Sequence, residues 1–286
     1  MPPSQRPLGA FLGGGVLLAL VGVAVIGPVA APYDPTLPSG SPLAPPGPEH
    51  LLGTNDLGQD LLSEWLWGTR ASLLVAALVT LLSAGLAWGV GISAGMWRSA
   101  EDPLMSLTDL LLALPSVPLY LLVIGLVGAS RGSVVLVLGL LAWPAFARIV
   151  RAQVLELRNA PYVEAAYALG ATPLRVALVH ILPGTLVLAP AQLVLLVRFA
   201  VFAEATLAFL GLGDPSAKSW GSMLGWAFQD PLLFARPTWP WWVLSPALSI
   251  VALVLATTGL ANGMLSASLG RVHASTDSGG PRLVVE

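Results

Sequence analysis

A chain of 286 residues in which 56% of side chains are hydrophobic and only 10% charged, with a mean hydropathy of +0.81, is too apolar for a soluble globule and belongs to the membrane class. A net charge of −2 without clustered Lys and Arg gives no basic field for nucleic acid. The absence of cysteine removes disulfides, thiolate metal sites and thiol nucleophiles together.

The first apolar run, 11–29, is long enough to cross a bilayer. Its small-residue end at Val29, Ala30 and Ala31 also suits signal-peptide cleavage, but the run is longer than an ordinary signal core, so a retained helix is expected. Residues 32–48 turn to Pro, Gly and Ser and predict an extended linker without a core. From His50 a turn-rich head leads into an amphipathic run, 57–67, whose Leu, Trp and acidic residues suit a helix lying at the interface. Asp56, Asp60 and Glu64 recur at helical spacing; a metal site is conceivable, and an acidic solvated face is the expectation.

A second span is predicted over 72–96, with Gly85, Gly89, Gly91 and Gly95 allowing close helix approach. The third, 104–127, carries Asp109 near its start and Pro115 and Pro118 as kinks. A tight turn at 128–132 leads to a fourth span over 133–150.

The stretch 161–183 is too polar to span and reads as helix, turn, helix. Asn159 can cap the first helix, with Pro161 in its first turn where a missing N–H costs nothing. Gly170 stands where a left-handed residue is wanted at the helix end, and Thr172 followed by Pro173 starts a second helix, which Pro183 is expected to interrupt. A first helix of about 13 Å is marginal alone and needs something to dock against. Ala165, Ala166 and Ala168 keep its surface low enough for close approach, and Glu164 adds one charge near its start. The alternative is an ordinary structured loop between two spans.

The fifth span runs from after Pro183 to about 212 and contains Arg198 and Glu204. A charge inside a span costs about 2.5–3.5 kcal/mol on the gentlest scale. The two stand about 9 Å apart along the axis and on different faces, so either each is satisfied by neighbouring helices or each lines a transport path. A tryptophan-rich loop over 214–240 precedes the sixth span, 241–265. With the N-terminus inside, Arg6, Arg98, Arg148, Arg151, Arg158, Arg175, Arg271 and Arg282 are cytoplasmic, and only Arg70, Arg131, Lys218 and Arg236 are outside, as the positive-inside rule prefers. Trp65, Trp67, Trp220, Trp226, Trp239, Trp241 and Trp242 then fall at the outer interface. No HExxH, phosphate-binding loop or G-x-S-x-G elbow occurs, His50, His180 and His273 are far apart, and the Asp214 string has no partner aspartate, so no catalytic or metal residue is assigned.

Glu164-Ala165-Ala166, then Gly170, then Ile181-Leu182-Pro183, resembles the EAA motif of ABC-importer permeases. Tyr162, Val163, Ala171 and His180 match its peptide and nickel branch, with Gly184 where Asn is usual. The resemblance extends to Gly53, Thr54, Leu57, Gly58, Asp60, Ser63, Gly68, Arg70, Ser72 and Leu73, to Trp143-Pro144 with Ala147-Arg148 and Arg151, to Glu204-Ala205 with 209–213, and to the string at 220–224. Gln59 and Glu64 replace two arginines of the pattern, Ala208 replaces a serine, and the string at 259–265 departs from it.

The chain is thus similar to the second permease of the dipeptide, oligopeptide and nickel group. That resemblance implies an all-α integral membrane protein of about six transmembrane helices, with both termini and the EAA loop cytoplasmic, in a bacterial or archaeal inner membrane. The divisions expected are an N-terminal transmembrane helix over 1–31, an extracytoplasmic linker and interfacial segment over 32–70, a permease core over 71–270 and a flexible cytoplasmic tail over 271–286. The implied partners are a second permease in a heterodimer, two cytoplasmic ATP-binding subunits and an extracytoplasmic substrate-binding protein, besides membrane lipid; no cofactor is implied. Tyr162, Glu164, Ala165, Ala166, Gly170 and Ala171 would form the ATPase-coupling loop, and Arg198 matches no motif. Peptides are the expected cargo, with nickel or another small solute as the alternative. A secondary carrier is disfavoured because no inverted repeat is evident, and a membrane-embedded enzyme because no nucleophile and base are identifiable.

Overall fold

Asp60 decides where the longest helix begins. Its Oδ2 accepts hydrogen bonds from the Ser63 backbone N–H at 2.8 Å and from Ser63 Oγ at 2.7 Å, capping α2, Leu61–Met96, which contains no proline and runs unbroken for 36 residues. The separate interfacial helix expected over 57–67 is therefore absent; its second half is the opening of α2. At about 54 Å, α2 exceeds the roughly 30 Å hydrocarbon thickness. The computed structural model describes residues 6–187 and 189–277, and side chains over 9–187 and 189–264.

The other long helices are α1, Arg6–Ala30, α5, Arg131–Leu157, α9, Ala189–Phe209, and α11, Trp239–Asp277. Apart from an isolated bridge between Thr54 and Asp60, the described residues are helix and loop. The most extensive pairing is between α2 and α5, and small residues permit it. A Cβ at Gly91 would lie 2.7 Å from Val150 Cβ, and one at Gly95 2.7 Å from Val154 Cβ, so the two backbones meet directly. Ser83 Oγ donates to Gly139 O at 3.0 Å across the same seam. Because Ser83 meets Gly139 while Gly95 meets Val154, α2 and α5 run parallel. The chain must then cross back between them.

That return is made by α3, Arg98–Ala113, and α4, Ser116–Val127, which are bent by 93° at their junction. The third span expected over 104–127 is thus a pair of helices meeting at a sharp bend. Leu114, forced out of the helical region by Pro115, adopts φ −82° and ψ 140°, and Pro118 sits harmlessly in the first turn of α4. Among the described residues five helices are long and apolar enough to cross, and six if the bent pair counts as one span. Tyr120 and Ile124 of α4 join Val75, Val79, Val134, Val201 and Leu207 in one buried cluster, and Trp88, Trp143, Val150, Val154 and Leu196 form a second nearer the other end. Gly9 and Ala10 of α1 pack on Gly259 and Gly263 of α11, so α1 begins where the described side chains of α11 end.

The segment predicted as an extended linker is instead folded. Ser39 and Gly40 both donate to Gly58 O, at 2.9 and 3.0 Å, and Thr54 N–H donates to Ala44 O at 3.0 Å while its hydroxyl accepts from Ala44 N–H at 2.8 Å. Buried Thr54, Asn55, Gln59 and Asp60 thus hold the fold with hydrogen bonds where composition offers little apolar surface. Beneath, Leu43 and Leu52 pack on Leu61, Met223 and Trp242. The tryptophan-rich loop also contains a helix, α10, Trp220–Phe228, entered through a capping box of Ser219 and Ser222. Trp220 and Trp242 are buried rather than interfacial: Trp220 is 0% exposed, and its indole N–H donates to Thr69 Oγ1 at 3.1 Å. The α11 backbone stays helical to Asp277; 278–286 of the expected tail, with Arg282, lie outside the described residues, as do the side chains of Arg6, Arg271 and His273.

Candidate functional site

At one end of the bundle the chain leaves α5 and builds the helix-turn-helix. The first helix is α6, Pro161–Ala168, with Pro161 at its first position. Asn159 does not cap it: the cap position is Ala160, and Asn159 Nδ2 donates to Leu155 O at 3.0 Å, finishing α5 instead. Val163 is the residue that anchors α6, fully buried against the Val150, Val154, Val176 and Ile181 cluster. Ala166 and Ala171 pack partly on that cluster, while Tyr162, Glu164 and Ala165 face outward.

The turn closes as a Schellman motif. Gly170 has φ +83°, its N–H donates to Tyr167 O at 2.9 Å, and Ala171 N–H donates to Ala166 O at 3.0 Å. A Cβ on Gly170 would meet no atom within 4 Å; backbone handedness alone demands glycine there. Thr172 caps α7, Pro173–Val176, by accepting from Arg175 N–H at 3.4 Å. Pro183 does not interrupt this second helix. A π turn, Ala177–Ile181, widens the helix ahead of the proline, and α8, Leu182–Thr185, carries it on. Gly184 lies against Leu157, where a Cβ would come within 2.7 Å of Leu157 Cδ1.

The loop is tied to the spans and yet presents apolar surface. Arg158 donates to Gly95 O at 2.8 Å, Arg151 pairs with Glu101, and Arg148 pairs with Asp109, so the ends of α2, α3 and α5 are laced together beside it. The Tyr162 and His180 rings lie tilted against each other, 6.2 Å between centroids. Tyr162 is 47% exposed, Leu169 90% and Leu174 59%. An exposed apolar tip thus rests on a buried, tied-down base.

The two intramembrane charges are separate, as their spacing predicts. Glu204 is buried and accepts from Ser72 Oγ at 3.2 Å; the same hydroxyl accepts from Trp220 N–H at 3.2 Å, joining α9, α2 and α10. Arg198 Nη1 donates to Thr258 Oγ1 at 3.4 Å on α11.

A polar network at the opposite end from the loop was not legible in the sequence. Asp60 and Glu64 are 0% and 2% exposed, not members of a solvated face. Asp60 Oδ1 lies 2.9 Å from His50 Nδ1. Glu64 accepts from Lys218 Nζ at 2.5 Å and from Asn55 Nδ2 at 3.0 Å, and Lys218 also donates to Gln59 Oε1 at 2.8 Å. Lys218, the one lysine in the sequence, was the available signal. Nearby, hydrogen bonds from the Thr36 hydroxyl and backbone N–H hold the Asp34 carboxyl below the usual carboxylate range.

Residues 85–265 match the family of binding-protein-dependent transport system inner membrane components. The chain is 36% identical to the dipeptide transport system permease protein of Escherichia coli (strain K12) over 272 residues, 92% of this chain and 89% of that one. It is 31% identical to the corresponding protein of Haemophilus influenzae over 268 residues, 91% and 89% of the two chains. A putative peptide transport system permease protein of Brucella suis biovar 1 is 36% identical over 257 residues, 86% and 84%. With this match laid over an all-α bundle with five candidate membrane spans, or six if the bent pair is one, the chain belongs to the binding-protein-dependent, ABC-type transport permeases of the inner membrane.

Proposed function

We propose that this chain is one of two permease subunits that together form the pathway of an ATP-driven importer of short peptides, and that α6 with its flanking turn is where an ATPase subunit docks. Peptide as cargo is supported by the relatives' names, dipeptide and peptide transport permeases alike at 31–36% identity over most of the chain. The observation that carries the docking reading is the exposed tip of Tyr162, Leu169 and Leu174 on a helix pinned by fully buried Val163. Glu164, in the first turn of α6, complements the positive end of the helix dipole and offers a charge to a partner. Ala165 and Ala166 let that partner approach, and Gly170 and Ala171 fix the angle of the turn.

In this reading the loop lies in the cytoplasm, a substrate-binding protein delivers cargo to the opposite end, and closure of the ATPases pulls on α5 and α9. Shifting a two-state gate from 1:99 to 99:1 takes about 5.5 kcal/mol of differential binding, which a loosely held loop could not transmit.

The test is co-purification of the tagged chain with its importer partners, followed by uptake of a labelled dipeptide in proteoliposomes. Gly170→Pro removes both the N–H and the left-handed backbone that the turn uses, and Glu164→Lys reverses the charge. Both are expected to lose the ATPase subunits while retaining the second permease. Retention of the ATPases by both variants would sink the docking assignment, and peptide uptake independent of ATP would replace the importer by a carrier.

A further inference from the structure

At the end of the bundle opposite the docking loop, Trp67, Arg70 and Leu74 of α2 and Arg131 at the start of α5 wall a cavity of about 530 Å³, together with Asp34 and Lys218. That volume falls in the range of ligand sites, about 300–1,000 Å³. Among the described residues of the wall, Arg70, Arg131 and Lys218 are cations and Asp34 alone is acidic. Lys218 is already spent on Glu64 and Gln59, and Asp34 accepts from the Thr36 hydroxyl and N–H. Arg70 makes no hydrogen bond or ion pair among the described residues, and Arg131 has only Asp214 at 3.6 Å, too long for a hydrogen bond. The Trp67 indole N–H is likewise without an acceptor among the described residues.

The depth of these donors bears on what they hold. A helix as long as α2, about 54 Å, overhangs a hydrocarbon layer of roughly 30 Å by about 12 Å at each end when centred. Arg70 stands about 13 Å along α2 from Leu61, at the boundary between head groups and acyl chains. Measured from the contact of Ser83 with Gly139, Arg131 lies about 7 Å deeper along the seam, within the length over which an arginine reaches back toward the head groups. Below the cavity, Leu74, Leu78 and Leu81 follow at helical spacing on one face of α2, and all three are exposed. Free guanidinium at the boundary thus stands above an uncovered apolar stripe, complementary to an amphiphile with an anionic head.

We propose that this cavity binds one anionic phospholipid, its phosphodiester held by Arg70 and Arg131, its glycerol backbone beside Trp67 and an acyl chain along Leu74, Leu78 and Leu81. Guanidinium is suited to phosphate, which it grips with two parallel N–H bonds, and it is more weakly hydrated than an ammonium. Basic pockets between transmembrane helices take anionic head groups by the same chemistry, and indole rings settle at this depth. A choline head group would bring its own cation to a wall already in cationic excess, so the site discriminates against phosphatidylcholine. The bound lipid bridges α2 to the first turn of α5. The inference rests on the chain's place among membrane permeases and not on its cargo.

The full chain, with the subunits that co-purify with it, is placed in nanodiscs of phosphatidylcholine that contain a minor share of phosphatidylglycerol carrying a diazirine in its acyl chain. Cross-linked residues are then located by mass spectrometry. Labels are expected within 67–81, competed by unlabelled phosphatidylglycerol and not by inorganic phosphate or further phosphatidylcholine. Losing one charge-assisted contact in Arg70→Gln lowers labelling by about tenfold. Arg70→Glu should in addition turn preference toward a lipid with a cationic head group, a gain that misfolding cannot produce. Equal competition by phosphatidylcholine, labels spread evenly over the lipid-facing helices, or no change of preference in Arg70→Glu overturns the site. Displacement by inorganic phosphate assigns the cavity to a soluble anion, and labelling that vanishes when the second permease is present assigns this face to that subunit; either result overturns the lipid.

Discussion

Glu64 departs from the arginine of the motif this sequence resembles, and Lys218 answers it from a loop 154 positions away. A buried pair of this kind contributes little compared with an apolar replacement, but removal of one member strands the other. Lys218→Ala leaves the Glu64 carboxylate with Asn55 alone. Because the lysine side chain keeps 18% exposure, the cost is set below that of a fully dry pair, at about 2 kcal/mol. Thermal unfolding of the purified chain should show it, and Glu64→Gln with Lys218→Met should recover most of the loss. A double variant no more stable than Lys218→Ala would show that the pair is not coupled. Gly95 sets a second residue-scale limit: Gly95→Val forces its side chain into Val154, and overpacking of that kind costs about 1–3 kcal/mol. The same substitution at Gly85 or Gly89, where a Cβ meets nothing within 4 Å, is expected to leave the melting temperature unchanged.

Among the elements, those whose causes are local were legible. Gly170, Thr172 and Pro161 announce their positions because left-handed backbone, a capping hydroxyl and a missing N–H each act within a few residues. Asn159 misled because a capping side chain is equally able to finish the helix before it. The 32–48 segment was illegible for a different reason. Its Pro, Gly and Ser content reads as a linker, whereas its fold depends on distant partners such as Gln59 Nε2 donating to Thr36 O at 2.7 Å and Tyr33 N–H donating to Ser63 Oγ at 3.1 Å. Apolar periodicity cannot report such contacts. The same blindness hid the 93° break between α3 and α4, since two prolines mark a kink without fixing its angle.

At the scale of the whole molecule, α5 runs about 40 Å from Arg131, near the buried polar network, to Leu157 beside the helix-turn-helix, so the two lie at opposite ends. Because the chain has no cysteine, sidedness is directly measurable. Leu169→Cys is expected to react with an impermeant maleimide in inside-out vesicles and to be silent in intact cells, and Leu57→Cys to do the reverse. The opposite result would place the loop outside and end the docking assignment.

The hydrogen-bonded segment over 32–60 bears on how such a chain behaves once extracted. Detergent competes for apolar contacts at the lipid-facing helices, but it has no purchase on amide-to-carbonyl bonds such as Gly40 to Gly58 and Thr54 to Ala44. Amide exchange at Gly40 and Thr54 should therefore stay slow in micelles that have already loosened the α1 seam at Gly13 and Gly259. A solubilised chain would then keep its 32–60 segment folded after its grip on its own first helix has weakened.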